Sequence, residues 1–386
     1  MDQRTIQILF ALLRSAICGT RLTEEERKQY TPDMLYDLLK TSSKNDVAHL
    51  LVLGLTKNEL VPEGRYDLDQ YTFNAIYRYE RIRHEFENLC VALEKAQIPF
   101  LPLKGSVIRK YYPEEWMRTS CDVDILVRRE DLGAAISYLK DKHQYEEKER
   151  TTHDVSLYSP SGIYVELHFD LVEEDRAQNA IDVLKSVWEN VALHENSQYW
   201  YEMTEEYFYF YHIAHMAKHF EGGGCGIRPF IDLWILDRVV KVDKLSCDEL
   251  LRKAGLLKFA NASRSMSEIW FAGKEPDGVS LQMQHYLIHG GVYGSTDNRV
   301  AIEQRRRGGR AGYLLSRIFA PYAKLRRYYP ILEKHKWLMP VMQIRRWFML
   351  LRPEIASLAK RELALNKSLD ATYIDQTSEL FEKIGL

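Results

Sequence analysis

The segment that most constrains the fold is CDVDILV, residues 121–127, where two aspartates lie inside an otherwise apolar run. A short apolar run of this kind is typical of a buried β-strand. Side chains two residues apart in a strand point to the same side, so Asp122 and Asp124 face together while Val123 and Ile125 face the core. Two carboxylates this close repel each other unless a positive charge neutralises them. The pattern predicts either a cation site or the exposed end of a strand.

A divalent cation would neutralise this aspartate pair. Mg²⁺ prefers carboxylate oxygens and keeps coordination positions for water and phosphate. A third acid occurs in YVELHFDL, residues 164–171, where strand alternation puts Glu166, His168 and Asp170 on one face. If this strand lies beside the aspartate pair, Glu166 comes next to the two aspartates, with Asp170 as a second candidate. Three such carboxylates predict a two-metal site for phosphoryl transfer, in which Glu166 is a metal ligand or a general base.

Lys104, Gly105 and Ser106 form a turn between a predicted strand and a predicted helix, and Ser106 precedes Asp122 by sixteen residues. Glycine allows a close backbone approach, serine offers a hydroxyl and an amide, and a helix N-terminus attracts anions. The turn therefore predicts a phosphate-binding element. Lys104 and Arg118 would bind triphosphate oxygens, or would only balance the acidic charge. The GxxxxGK[ST] motif is absent and no GxGxxG follows a strand, which argues against P-loop and dinucleotide-binding sites.

The hydrophobic pattern divides the chain into three parts. Residues 1–95 carry apolar side chains at helical spacing and predict an N-terminal helical region. From Ile98 onward a short strand, a helix, the acidic strand, a second helix and a hairpin around Ser-Pro-Ser-Gly follow one another. We therefore predict an α+β fold, with a small mixed sheet and its helices in residues 96–175. A mainly helical region, residues 176–386, completes the chain.

Composition and cysteine usage favour a reducing cytoplasm. The net charge of about −2 argues against electrostatic binding of nucleic acid by the whole molecule. The five cysteines include no CxxC pair, so neither a disulfide framework nor a thiolate zinc site is predicted. The apolar stretch near the N-terminus is interrupted by Arg14 and predicts an amphipathic helix rather than a signal peptide. No uncharged window reaches the roughly 18 residues that a transmembrane segment requires.

Taken together, the Gly105-Ser106 turn, the Asp122–Asp124 pair and the Glu166 strand resemble the DNA polymerase β-type nucleotidyltransferase superfamily. The segments LPLKGSVIRKYYP, RTSCDVDILV and YVELHFDL are similar, more closely, to a group of uncharacterised bacterial nucleotidyltransferases. The resemblance is strongest over residues 98–171 and extends more loosely to about residue 240. The spacer between Ser106 and Asp122 is longer than in the minimal members, so the loop that contains Arg118 is expected to be specialised.

The resemblance implies a nucleotidyltransferase core with Mg²⁺ and an NTP as donor substrate. It implies that Asp122, Asp124 and Glu166 are catalytic and hold metal, and that Gly105 and Ser106 hold phosphates. It also favours Glu166 over Asp170 as the third acid. The segment HIAHMAKHFEGGGCGIRPFIDL is similar to the helical region with spaced histidines that follows the core in this group.

That helical segment supplies candidates for an acceptor pocket. His212, His215 and His219 share one helix face, which fits a structural role or the lining of a pocket better than a zinc site, because no H-E-x-x-H motif is present. Arg228 and Asp232 are predicted to form an ion pair that fixes the next helix, and would otherwise contact substrate. The predicted acceptor pocket comprises His168, His215, His219, Arg228 and Asp232.

A strongly basic stretch lies between residues 304 and 352. It contains thirteen lysines and arginines against a single acid, Glu333, and aromatic residues are interleaved with them. Such a stretch is typical of a surface that follows an RNA backbone or contacts an anionic membrane. The alternative is a solvated face, or one that pairs with the acidic N-terminal half.

The sequence predicts a cytoplasmic, Mg²⁺-dependent nucleotidyltransferase that moves NMP from an NTP to an acceptor hydroxyl and releases pyrophosphate. The acceptor would be a small molecule, a protein side chain or an RNA end. Two alternatives are a toxin–antitoxin-type regulator with this fold, and an RNA-binding module that uses residues 304–352. Nothing in the motifs reads a nucleobase, so neither the NTP nor the acceptor is specified.

Overall fold

The computed structural model describes residues 1–172, 180–288, 290–292, 294–329, 331–350 and 352–386. Residues 1–95 are helical, as predicted. Helix α1 begins where the Asp2 side chain accepts a hydrogen bond from the Thr5 amide and ends at Gly19, which has a positive φ. Its packing against α4 is close, because a Cβ on Gly54 would lie 2.3 Å from the carbonyl oxygen of Leu12. The helices are α1 (Gln3–Cys18), α2 (Glu24–Gln29), α3 (Leu35–Lys44), α4 (Ala48–Lys57) and α5 (Asp69–Lys95).

A five-stranded sheet follows in the described residues, in the order β1-β2-β5-β4-β3. Strands β2 and β5 are parallel, and the other neighbouring pairs are antiparallel. The predicted hairpin is present as β4 and β5, and the α+β fold with a small mixed sheet flanked by helical regions is confirmed. The strands are β1 (Phe100–Pro102), β2 (Asp122–Val127), β3 (Glu146–Arg150), β4 (Asp154–Tyr158) and β5 (Tyr164–His168). The helices between them are α6 (Gly105–Ile108) and α7 (Leu132–His143).

One face of this sheet packs against α5 and α7. Val123, Ile125 and Val165 are fully buried there and belong to one apolar cluster with Leu89 of α5 and Ile136 of α7. Alternation along the strands then turns the acidic side chains to the opposite face. The strand faces are those predicted from the sequence.

Two short strand pairings were not predicted. Strand β3 is EEKER, and every residue in it is exposed. It is an edge strand without an apolar face, so its sequence carries no alternation, and its charges protect the edge from further pairing. A separate ribbon, β6 (Val191–Leu193) and β7 (Tyr201–Met203), lies in the part predicted to be helical. Strands of three residues are too short to show a period.

The remaining described residues are mainly helical, and their helices share a core with the N-terminal helices. Phe10 of α1 stacks on Trp270 of α12 with ring centroids 4.2 Å apart. The predicted boundary at residue 175 lies outside the described residues, and the domain limits stay a prediction. The helices are α8 (Ile181–Lys185), α9 (Glu205–Glu221), α10 (Arg228–Val239), α11 (Lys244–Lys253), α12 (Leu257–Ala272), α13 (Gly278–Ile288), α14 (Thr296–Arg306), α15 (Arg310–Ile318), α16 (Tyr322–Tyr328), α17 (Ile331–Lys334), α18 (Met339–Leu350), α19 (Pro353–Ser368) and α20 (Ala371–Ile384).

None of the helices in the described part of the chain combines the length and the apolar character that crossing a bilayer requires.

Candidate active site

The parallel pairing of β2 with β5 brings the predicted acids together. Asp124 lies directly opposite Glu166 in the register, and Leu126 lies opposite His168. Asp122 is two residues from Asp124 on the same strand and therefore faces the same side. One ligand atom each from Asp124, Glu166 and His168 lies within 4.8 Å of the others. Asp122, Asp124, Glu166 and His168 are called the acidic cluster below.

Two cationic or hydrogen-bonding groups contact the same oxygen of Asp124. Lys104 Nζ and His168 Nε2 each lie 2.9 Å from Asp124 Oδ1, and His168 Nε2 is also 3.4 Å from Glu166 Oε2. Burial alone would raise the pKa of Asp124, but the charge of Lys104 and the hydrogen bond with His168 outweigh it and hold that pKa far below its usual range. Burial would lower the pKa of His168, and its bonds with Asp124 and Glu166 raise it instead. Asp124 is therefore ionised.

Asp122 differs from its neighbour in having no compensation of this kind. Its side chain makes no hydrogen bond or ion pair with any residue the structure describes. Burial, followed by the negative charge of Asp124, raises the pKa of Asp122 to about 6. A bound cation stabilises a half-buried carboxylate that lies beside another carboxylate and has no hydrogen-bond or ion-pair partner.

The Lys104–Gly105 turn lies directly beside this cluster. Lys104 has a positive φ of 48° and precedes the first residue of α6. Arg109 supports the turn, since its Nε donates to the Gly105 carbonyl oxygen at 2.9 Å and its Nη2 donates to Ser120 Oγ at 2.8 Å. A Cβ on Gly105 would lie 3.3 Å from the Cβ of Ser120 and 3.6 Å from Arg118 Nη1, so only glycine fits without displacement.

A cavity of about 540 Å³ opens in front of the acidic cluster. This volume falls within the roughly 300–1,000 Å³ of ligand-binding pockets. Of the residues predicted from the sequence, Ser106, which is half-buried in α6, and Asp170, the alternative third acid, do not line it. The predicted residues that line the cavity are Lys104, Gly105, Arg118, Asp122, Asp124, Glu166, His168, His215, His219, Arg228 and Asp232.

The predicted ion pair between Arg228 and Asp232 is wrong. Arg118 Nε lies 2.7 Å from Asp232 Oδ1, and the Tyr112 hydroxyl donates to the same oxygen at 2.6 Å. Arg228 Nη1 instead lies 2.7 Å from Asp46 Oδ2, at the turn between α3 and α4. The loop before β2 delivers Arg118 to Asp232, so that Arg228 is left to bind the N-terminal helices. Arg118 thus ties this loop to α10.

Asp46 and Arg78 of the N-terminal helices also line the cavity and were not predicted. Asp46 lies between two guanidinium groups, with Arg78 Nη2 at 2.6 Å and Arg228 Nη1 at 2.7 Å. Burial would raise its pKa, but Arg228 and Arg78 outweigh burial and lower it. No local signal in the sequence marks either residue. The arginine cluster below denotes Asp46, Arg78, Arg118, Arg228 and Asp232.

Three histidines of α9, His212, His215 and His219, also line the cavity. His215 Nε2 and His219 Nε2 lie 3.0 Å apart, and His212 Nε2 lies 3.0 Å from the Pro229 carbonyl oxygen. Burial lowers the pKa of His212 and, together with the charge of His219, holds that of His215 well below the usual value. Among the described residues these histidines do not form a three-ligand metal group.

A second group with metal-ligand character was missed. His153, Asp154 and His168 offer ligand atoms within 4.8 Å of one another, at the start of β4 and the end of β5. Asp154 is also held by Thr151, whose hydroxyl donates to Asp154 Oδ1 at 2.7 Å. Asp170, the alternative third acid, contacts Arg129 at 3.2 Å and is in neither group within the described residues. Asp122 is also in neither group, and Glu166 is the acid that lies opposite Asp124 in the register.

Comparison of the chain with known proteins shows which family it belongs to. The model of a family described as "Uncharacterised nucleotidyltransferase" matches residues 35–272. The match begins before the sheet and includes Asp46 and Arg78 of the arginine cluster. No curated protein and no solved structure matches the chain. Because the match covers more than half of the sequence and contains both clusters, the chain belongs to this family of uncharacterised nucleotidyltransferases.

Proposed function

We propose that this protein is a Mg²⁺-dependent nucleotidyltransferase that moves NMP from an NTP to an acceptor hydroxyl and releases pyrophosphate. Membership of the family supports nucleotidyl transfer in general. The observation that carries the finer proposal is the register of β2 and β5, which sets Asp124 opposite Glu166 with Asp122 two residues away. Because all five cysteines are free thiols, we assign the protein to the reducing cytoplasm.

Asp122, Asp124 and Glu166 are the residues that would hold Mg²⁺. Their donor atoms are carboxylate oxygens, which Mg²⁺ prefers. Asp122 is half-buried and receives no hydrogen bond from any residue that the structure describes, so a cation would offset its repulsion from Asp124. When bound, Mg²⁺ would neutralise triphosphate charge and lower the pKa of the acceptor hydroxyl. His168 contacts both Asp124 and Glu166 and fixes their orientation.

The triphosphate would be held by the turn at Lys104. Lys104 is half-buried between Asp124 and the backbone of Gly105, so its ammonium group can bind a phosphate oxygen without leaving the cavity. Gly105 brings the backbone close to the phosphates, and Ser106 follows in α6. Arg228 adds positive charge near Asp122.

The reaction is an in-line displacement at the α-phosphorus. The acceptor oxygen forms a bond to this phosphorus while the bond to the bridging oxygen of the β-phosphate breaks, and pyrophosphate leaves with that electron pair. As the alternative to its role as a metal ligand, Glu166 would accept the proton of the acceptor hydroxyl; its side chain is 23% exposed and lies opposite Asp124. The histidines of α9 and Arg228 line the space in which the acceptor would lie.

The test is incubation of the purified protein with each α-³²P-labelled NTP and a cell extract, with and without Mg²⁺. We expect one NTP to transfer label to an acceptor, with pyrophosphate released, only when Mg²⁺ is present. The Asp124→Asn variant should lose this transfer. Equal labelling by wild type and Asp124→Asn, or no labelling with any NTP, would overturn the proposal.

A further inference from the structure

The segment from Arg310 to Leu350, helices α15 to α18, has features that nucleotidyl transfer does not use. It contains a small apolar core of its own, formed by Ala320, Leu325, Tyr329 and Leu332, separate from the core of the other helices. It is called the basic helical segment below. The residues of this small core pack against one another, so the outward-facing side chains of the segment are not needed for its core.

The outer surface of the basic helical segment is unusually apolar. About half of the exposed large hydrophobic side chains in the described part of the chain lie between Leu314 and Met349, although this stretch holds fewer than a tenth of the residues. Trp337 is 74% exposed and Phe348 is 69% exposed. Scattered apolar side chains are normal on a surface, but a concentration of this size marks an interaction site.

The exposed apolar side chains of α15 and α18 lie next to each other. Val341, Ile344 and Phe348 are spaced by three and four residues, so they follow a single face of α18. Trp347 Nε1 donates to the carbonyl oxygen of Ile318 at 2.7 Å, and the rings of Trp347 and Phe319 lie 5.7 Å apart. The exposed apolar residues at the end of α15 therefore lie beside those of α18.

Positive charge surrounds this apolar surface. Lys334, Lys336 and Arg345 are exposed and form no ion pair with any residue that the structure describes. Arg317 pairs with Glu362 at 2.8 Å, which lies in the C-terminal part of the chain. The charges of Lys334, Lys336 and Arg345 are therefore the ones that an external partner can pair with.

We propose that the basic helical segment binds the surface of an anionic lipid bilayer. Aromatic and aliphatic side chains on one helix face, flanked by lysine and arginine, are the elements of interfacial membrane binding. Single-stranded RNA is bound by stacked aromatics along a charged groove and makes no use of exposed Val341 and Ile344. The protein would lie on the bilayer through α15 and α18, with their apolar faces in the headgroup region.

The test is flotation of the full-length protein with vesicles of phosphatidylcholine alone and with vesicles containing about one third phosphatidylglycerol. We expect binding to the anionic vesicles to be at least about tenfold stronger and to weaken as salt is raised. Replacing Lys334, Lys336 and Arg345 together by Gln should remove most of this difference.

The apolar contribution is tested by Phe348→Ser, with Phe73→Ser as a matched control. Both side chains are exposed, at 69% and 63%, so neither change should affect folding. We expect Phe348→Ser to reduce vesicle binding several-fold and Phe73→Ser to leave it unchanged. Equal binding to both vesicle types, equal effects of the two serine variants, or binding to a short single-stranded RNA in place of vesicles would each overturn the proposal.

Discussion

The acidic cluster and the arginine cluster line the same cavity but differ in how their carboxylates are paired. Asp232 and Asp46 are each held by guanidinium groups and further hydrogen bonds. In the acidic cluster, Asp124 is held by Lys104 and His168, whereas Asp122 has no hydrogen-bond or ion-pair partner among the described residues. Paired carboxylates stabilise the structure, whereas a carboxylate without a partner is available to a ligand. The contrast between Asp232 and Asp122 therefore predicts a structural role for the first and ligand binding for the second.

The largest effect is expected when the pairing of the arginine cluster is broken. Asp232→Asn leaves the Arg118 guanidinium buried without its counter-charge, since only 2% of the Asp232 side chain and 9% of the Arg118 side chain are exposed. We expect the free energy of unfolding to fall by about 3–5 kcal/mol. Urea denaturation of the variant and of wild type measures the change. A fall of less than about 1 kcal/mol would show that this pair contributes no more than one on the surface.

The same Asp→Asn change in the acidic cluster, at Asp122, should reduce activity and not stability. Asp122→Asn removes a half-buried negative charge that has no ion-pair partner among the described residues, so we expect stability to be unchanged or slightly higher. Nucleotidyl transfer should fall by more than about a hundredfold, the upper range for groups that only support a metal ligand. Urea denaturation and a pyrophosphate-release assay on the same preparation measure both quantities. Loss of stability together with activity would place Asp122 with the structural carboxylates.

Ligand-induced stabilisation by Mg²⁺ and a non-hydrolysable NTP analogue should also distinguish Asp122 from Asp232. Binding to the folded state alone stabilises by about 2.7 kcal/mol at a hundredfold excess over Kd, which corresponds to a rise in Tm on the order of a few degrees. Thermal unfolding of wild type should show this rise, and Asp232→Asn should show it from a lower starting Tm. In Asp122→Asn we expect the rise to be absent, and an undiminished rise there would exclude Asp122 as a ligand.

The smallest expected effect is that of Asp46 on the loss of stability at acid pH. Its pKa is lowered from 3.8 in the folded state: burial opposes this, but Arg228 and Arg78 prevail. The stability it contributes is therefore complete above pH of about 4 and is lost as pH falls through the lower folded pKa. Asp46→Asn should reduce the difference in unfolding free energy between pH 7 and pH 3. The reduction should be smaller than the Asp232 effect, because 25% of the Asp46 side chain is exposed to solvent. An unchanged difference would contradict the pairing.

How far the sequence predicted the site depends on the distance between the residues involved. Asp122 and Asp124 lie on one strand, so their common direction follows from local alternation. Glu166 could be predicted beside them because its strand shows the same alternation; in the structure this strand, β5, is the neighbour of β2. The Lys104–Gly105 turn was found for the same reason, since its signal lies within three residues.

The arginine cluster was missed because its contacts are distant in sequence. Arg228 and Asp232 are one helical turn apart, which made a local ion pair attractive, yet the partner of Asp232 is 114 residues away and that of Arg228 is 182 residues away. Periodicity indicates which face of a helix is buried but not which residue it meets. Strand β3 escaped detection for a different reason, because a fully charged edge strand lacks the apolar face on which the prediction depends.

The stacking of Phe10 on Trp270 has a consequence for synthesis. As the polypeptide leaves the ribosome, the acidic strand emerges early, while Arg228 and the aromatic partner of α1 emerge more than a hundred residues after Asp122. The nascent chain therefore exposes its negative residues before the opposite wall exists. The cavity is therefore complete only after α10 and α12 have been translated and Trp270 of α12 has packed on Phe10 of α1.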